Sequence, residues 1–159
     1  MARIITKEMV LEAIELARPT AEAILRTEEA IWGPKVVQGA VSIPGINDLI
    51  RFIYSGEKNE PWNPAWGIFE NFFDIVTEKM KVVMREKMNS SIIAKLMPWL
   101  LKENEFMYAG GAYSDEIGAT ASGARGWADE CISEVIISNI KMLARLEAGR
   151  REQKDLMEI

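Results

Sequence analysis

Asp115 and Glu116, then Asp129 and Glu130, bracket a run of small residues, Gly118-Ala119-Thr120-Ala121-Ser122-Gly123, with Arg125 close behind. This is the densest set of groups in the chain that could do chemistry. Paired carboxylates divide acid and base work when their surroundings push their pKa values apart. An enzyme acting on a small metabolite would use Asp129, Glu130, Arg125 and Ser122. A plainer reading stands beside that one. Asp129 and Glu130 fall in the first turn of a helix, where negative charge is favoured by ~0.3–1 kcal/mol. Asp115 and Glu116 read most simply as solvated turn residues. The glycines of residues 118–126 superficially resemble a phosphate loop, but the Gly-Lys-Ser/Thr ending that would hold phosphate and magnesium is missing. Close packing of a strand against a helix accounts for them.

The residues that are absent narrow the field further. The chain has no histidine. That excludes serine triads with a histidine base, histidine-ligated zinc or haem, and the Glu-x-x-His di-iron bundle. Cys131 is the one cysteine, so no intrachain disulfide forms. Its place on an apolar helix face predicts a buried small hydrophobe rather than a nucleophile. Met80, Met84, Met88, Met97 and Met107 could line an adaptable apolar pocket, but helical spacing makes core packing the default for the first three. Trp62, Trp66 and Trp99 lie near prolines and are expected at a contact between copies. Net charge is −5, with 48% apolar and 27% charged residues. An acidic chain without a basic block is a poor partner for nucleic acid or an anionic membrane. No apolar run reaches the ~20 residues of a membrane helix. Residues 1–6 lack the apolar core of a signal peptide, so a cytoplasmic location is expected.

The elements that must position these groups follow from periodicity. Thr6 caps a first helix with Val10, Ala13, Ile14 and Ala17 on one face, and Pro19 is expected to interrupt it and open a second segment that ends near Ile31. Residues 35–43 alternate, with Val37, Gly39, Val41 and Ile43 on one side. Pro44-Gly45 and Asn47-Asp48 are turn residues, and residues 49–54 complete a hairpin, with a helix over residues 46–54 as the alternative. Asn63 and Pro64 start a long helix, with Phe69, Phe72, Phe73, Val76, Met80, Val83 and Met84 facing inward, that ends near Asn89. A helix over residues 91–102 is kinked by Pro98. A strand over residues 105–109 leads to Gly110-Gly111. A strand of small residues follows, with Ile117, Ala119 and Ala121 alternating against Glu116, Thr120 and Ser122. The last helix runs from Trp127 to about Ala148, with Cys131, Ile132, Val135, Ile136, Ile140, Leu143 and Leu146 inward. The chain thus reads as a single α+β domain over residues 1–149 with a charged tail over residues 150–159.

The stretch from Phe106 through Gly110-Gly111, the Glu116-Ile117-Gly118-Ala119 to Ser122-Gly123 strand, and the Asp129-Glu130 pair resemble the GlcG/HbpS-like family. That family includes haem-binding-protein-like sensors and the C-terminal domain of PduO adenosyltransferases. The likeness covers about 25 residues; the rest agrees in element order only. It implies an antiparallel sheet flanked by helices, profilin-like, against the alternative of an all-α bundle. It also implies homo-oligomers and a small organic ligand, haem included. The ligand would touch Gly110, Gly111, Gly118, Ser122, Gly123, Arg125, Asp129, Glu130 and Tyr108, in a pocket between the small-residue strand and the helices over it. Haem would have to bind without histidine, which leaves Tyr54, Tyr108, Tyr113, Met107 and Cys131 as iron ligands; no other metal is expected. The function expected is therefore a small-ligand-binding or sensor-type domain of a homo-oligomer. The alternatives are an enzyme or enzyme subunit and a structural subunit of a helical assembly.

Overall fold

A computed structural model describes residues 4–31, 35–56, 70–105 and 109–157. Its helices are α1 (Lys7–Leu25), α2 (Glu70–Glu86), α3 (Ser90–Leu96) and α4 (Gly126–Met157), and its strands are β1 (Val36–Ser42), β2 (Ile50–Ser55), β3 (Gly111–Ser114) and β4 (Ile117–Ser122). The strands form one antiparallel sheet in the order β2-β1-β4-β3. This is an α+β fold and not an all-α bundle.

Alternation assigns each face of the sheet. Val37, Val41, Phe52, Tyr54, Ala119 and Ala121 join the core under α1 and α4. Ala40 turns the other way and packs with Val76, Met80 and Val83 of α2. Each buried valine or isoleucine contributes ~1.5–3 kcal/mol relative to exposure. The small side chains of β4 are explained by what lies over them. A Cβ at Gly118 would stand 2.5 Å from Met84 Sδ and 2.9 Å from Met80 Sδ. Methionine, not an open pocket, fills the space over the strand there. Across the β1–β2 pair, Gly39 lies opposite Phe52, whose ring tip would be 2.0 Å from a Cβ at residue 39.

Several expectations need correction. Pro19 does not break α1, which is continuous through it. Pro19 is exposed, while Val10, Ala13, Ile14, Ala17, Ala21 and Leu25 are buried on both sides of it. That burial outweighs the ~3 kcal/mol cost of an interior proline. A short 3₁₀ turn, Glu28–Ala30, follows. At Pro98 the helix does not kink but ends: α3 stops at Leu96 and a 3₁₀ turn, Pro98–Leu100, replaces it. Gly111 is itself the first residue of β3. Glu116 belongs to the turn and not to β4, because Asp115 and Glu116 have φ of 51° and 70°. Two positive φ values in a two-residue connection make the hairpin turn that matches strand twist. Lys141 pairs with Asp115 and Ser114 there.

In α4 the inward stripe is Ala128, Ile132, Ile136 and Ile140, with Asp129, Ser133 and Ile137 beside it. Cys131 lies off that stripe and is exposed, as is Leu146. The expected tail is a helical continuation of α4 as far as Met157, exposed throughout. The expected strand centre at residues 106–108, the Asn63-Pro64 helix start, Phe69, Trp62 and Trp66, and the Phe72 side chain lie outside the described residues.

Tyr54 ties the α1 layer to the sheet. It is fully buried, and its hydroxyl donates to Ile14 O at 2.7 Å. Tyr54→Phe should cost ~1–2 kcal/mol, because the carbonyl loses its partner in a dry core. A thermal melt lowered by about 2–8 °C would match that cost, and an unchanged melt would show that the bond contributes nothing.

Candidate functional site

The expected site residues divide when the chain folds. Gly110, Gly111, Ser122, Gly123 and Asp129 gather where β4 ends, β3 begins and α4 starts. Gly118 lies further along β4 under Met80 and Met84. Arg125 is exposed; its backbone N–H donates to Ala30 O at 2.7 Å and its carbonyl accepts the Asp129 N–H at 2.9 Å. Glu130 turns to α3, where its Oε1 accepts the Ser91 N–H at 3.0 Å. Tyr108 lies outside the described residues.

The gathered residues surround a lysine that sequence reasoning passed over. Lys79 of α2 is 4% exposed, and its Nζ donates to Ala121 O at 3.0 Å. Among the described residues it forms no ion pair within 4.0 Å. Asp129 approaches the same glycine, Gly110. A Cβ at Gly110 would stand 2.6 Å from Lys79 Nζ and 3.2 Å from Asp129 Cβ. Glycine is required here twice over, for this close approach and for a φ of 127°. The signal for Lys79 was in the sequence. Val76, Lys79, Met80 and Val83 share one helical face by their i, i+3, i+4, i+7 spacing, so Lys79 had to point inward.

Asp129 Oδ1 accepts the Ala124 N–H at 3.1 Å, and the backbone of Gly123 also donates to the carboxylate. Burial pushes its pKa up to about 7, against the opposing pull of Lys79 and the two backbone bonds. Burial likewise lowers the pKa of Lys79, with Asp129 and Glu130 acting in the other direction. Ser133 donates to Gly110 O at 3.0 Å, and Ser90 accepts the Gly111 N–H at 2.8 Å. These bonds lock the glycine pair between α3 and α4. On the α2 side of the sheet, Gln38 pairs across strands with Ser122 and Ala40 with Thr120. Gln38, Thr120, Ser122 and Lys79 are all buried. A buried sheet face is ordinarily apolar, and this one becomes polar toward the end of β4.

Two open clefts lie elsewhere, on either side of Tyr113. One of about 370 Å³ runs between Pro44, Met84, Lys87 and Glu116. The other, of about 280 Å³, lies between Asn89, Ser114, Glu134 and Lys141. Neither contains the groups around Lys79.

The described residues do not fit an iron ligand set. The Tyr54 hydroxyl is committed to Ile14 O, and burial raises its pKa. The Tyr113 hydroxyl accepts the Glu116 N–H at 3.1 Å. Cys131 is exposed, with its pKa raised first by burial and then by Glu134 and Glu130. Met107 and Tyr108 are outside the described residues. Among the described residues no cluster of three or more acidic or cysteine side chains could hold a metal ion, and no helix is long and apolar enough to cross a membrane.

The fold and site together define a small α+β domain with a buried lysine and a buried aspartate at one end of its sheet. No family model, curated protein or solved structure matches the chain.

Proposed function

We propose that this chain is a small-ligand-binding, sensor-type domain working as a cytoplasmic homo-oligomer. Its ligand is a small organic acid that lies on the polar part of the sheet face and offers an anionic group to Lys79. The observation that carries this reading is the burial of Lys79 under a sheet face that also buries Gln38, Thr120 and Ser122, with no ion pair to Lys79 within 4.0 Å among the described residues. A buried ammonium held by one carbonyl and only more distant carboxylates remains costly, and such expense concentrates at functional sites. The motif resemblance to GlcG/HbpS-like domains supports the same class of function. Haem would fit through its carboxylates, since Tyr54 and Tyr113 are committed to other partners.

A second reading has one observation in its favour. Asp129 pushed up to about 7 beside a lysine shifted downward is a pair suited to proton exchange. The enzyme reading otherwise loses support, because Arg125 is exposed and Glu130 is committed to Ser91.

Native mass spectrometry of the purified protein, with a haemin absorption titration alongside, tests the proposal. The expected result is a small acidic adduct lost on denaturation, and at least tenfold weaker binding of it in Lys79→Met. The variant should keep its melting temperature, since an apolar residue of similar size replaces a buried charge. No adduct and no saturable binding, or binding unchanged in Lys79→Met, would overturn the reading.

A further inference from the structure

Among the described residues, Lys87, Asn104, Asp115 and Glu116 are the non-glycine positions with positive φ. Asparagine and aspartate tolerate that conformation, but a long side chain enters it at a cost. Lys87, with φ of 56°, follows the last residue of α2, and its N–H donates to Val83 O at 2.8 Å. Glycine is the usual residue at such a left-handed helix end. Glu116, with φ of 70°, is the second residue of the β3–β4 turn, where glycine is again preferred. Local propensity explains neither choice, and both residues line the same cleft, the one of about 370 Å³. Backbone strain of this kind collects where a function holds it.

The cleft has the parts of a binding site. Its volume falls in the ~300–1,000 Å³ range of small-molecule pockets. One cation and one carboxylate border it, and among the described residues neither Lys87 nor Glu116 forms an ion pair within 4.0 Å. Their charged neighbours in sequence are already committed, Glu86 to Arg85 and Asp115 to Lys141. The turn that carries Glu116 is held in place, since the Tyr113 hydroxyl accepts the Glu116 N–H at 3.1 Å. The apolar lining comes from Pro44, Met84 and Tyr113. Met84 and Tyr113 pack against the buried cluster of Val76, Met80 and Val83. A methionine in that place adapts to the shape of what it meets.

We propose that this cleft binds a free amino acid with an apolar side chain. Lys87 takes the α-carboxylate and Glu116 the α-ammonium, through charge-assisted hydrogen bonds. The side chain lies on Met84, Tyr113 and Pro44. Two uncommitted charges of opposite sign beside an apolar lining fit a zwitterion, whereas a simple anion or cation leaves one of them unmatched. The site is separate from Lys79 and goes beyond the function proposed above.

Isothermal titration calorimetry of the full chain with L-leucine, L-methionine and L-phenylalanine tests it. At least one should bind saturably. Its N-acetyl and amide forms, each lacking one charge, should bind at least tenfold more weakly. Lys87→Gly and Glu116→Gly should each weaken binding at least tenfold yet melt at or above the wild-type temperature, because glycine relieves the backbone. Lys87→Gln and Glu116→Gln, which leave the backbone as it is, should weaken binding alike. No saturable binding of the three amino acids, capped forms that bind equally well, or affinity unchanged in a Lys87 or Glu116 variant would overturn the proposal. Glycine variants that both melt below the wild type would remove the strain from which the site is inferred. Loss of binding in Lys79→Met would also overturn it, by moving the amino acid to the buried lysine. The small organic acid at Lys79 stands or fails by its own adduct, whatever this cleft binds.

Discussion

Replacing Gly123 by valine should lower the melting temperature by about 10 °C or more, or leave most of the chain unfolded. Gly123 has a φ of 138°, a region that a β-branched residue does not enter without strain. A Cβ there would stand 2.2 Å from Val36 O and 3.1 Å from Val37 Cα. Both are backbone atoms of β1, which is paired on both sides, with β2 and with β4. They cannot retreat without opening two strand pairs. Overpacking and strain together amount to at least ~3 kcal/mol, and for a chain of this size each ~1 kcal/mol moves the melt by ~2–4 °C. Gly118→Ala is the control. It meets the flexible tips of Met84 and Met80, so the expected cost is ~1 kcal/mol. Thermal denaturation followed by circular dichroism compares the two. Equal effects, or no effect at Gly123, would mean that β4 does not run against β1 as described.

Gly123 also shows what was legible in the sequence. A strand of small residues that ends in glycine announces close packing, and the alternation of Ile117, Ala119 and Ala121 gave the correct face. The alternation of Val37, Gly39 and Val41 did the same for β1. What covers the small residues could not be read, because the answer depends on tertiary placement: Met80 and Met84 fill a space that looked open to a ligand. Pro19 misled because local propensity was weighed without the burial on both sides of it. Cys131 was placed inside by a stripe drawn too wide, since α4 buries residues 128, 132, 136 and 140 and their neighbours on one flank only. Lys79 was missed for the opposite reason. The acids cluster in sequence, while Lys79, the one buried cation among the described residues, stands alone in an apolar helical stripe. The convergence of α2, α3 and α4 on Gly110 brings together residues far apart in the chain, and no local pattern reports it.

Asp129→Asn should be close to neutral in stability at about pH 4 and stabilising at pH 8. The sign follows from the direction of the shift. The folded-state pKa of Asp129 is raised to about 7 from its ordinary value of 3.8. Between those values the folded state holds a proton that the unfolded state has released, so stability falls as pH rises through that window. Above it the carboxylate is ionised in both states, and the folded protein bears the full cost of the buried charge. That cost reaches up to about 4 kcal/mol at ~1.4 kcal/mol per pKa unit. Asparagine never ionises, keeps an oxygen to accept the Ala124 N–H, and closely matches the shape of the protonated acid. The variant should therefore melt together with the wild type at the acid end and about 4–12 °C above it at pH 8. Groups common to both proteins cancel in that difference. Lys79 works against this gain, because its attraction for the ionised carboxylate is lost with asparagine; the value of about 7 already includes that attraction. A variant less stable than wild type at pH 8, by more than at pH 4, would overturn this account. Asp129 would then be an ionised partner that holds Lys79 in place, and the site would be a structural ion pair rather than a charge left over for a ligand.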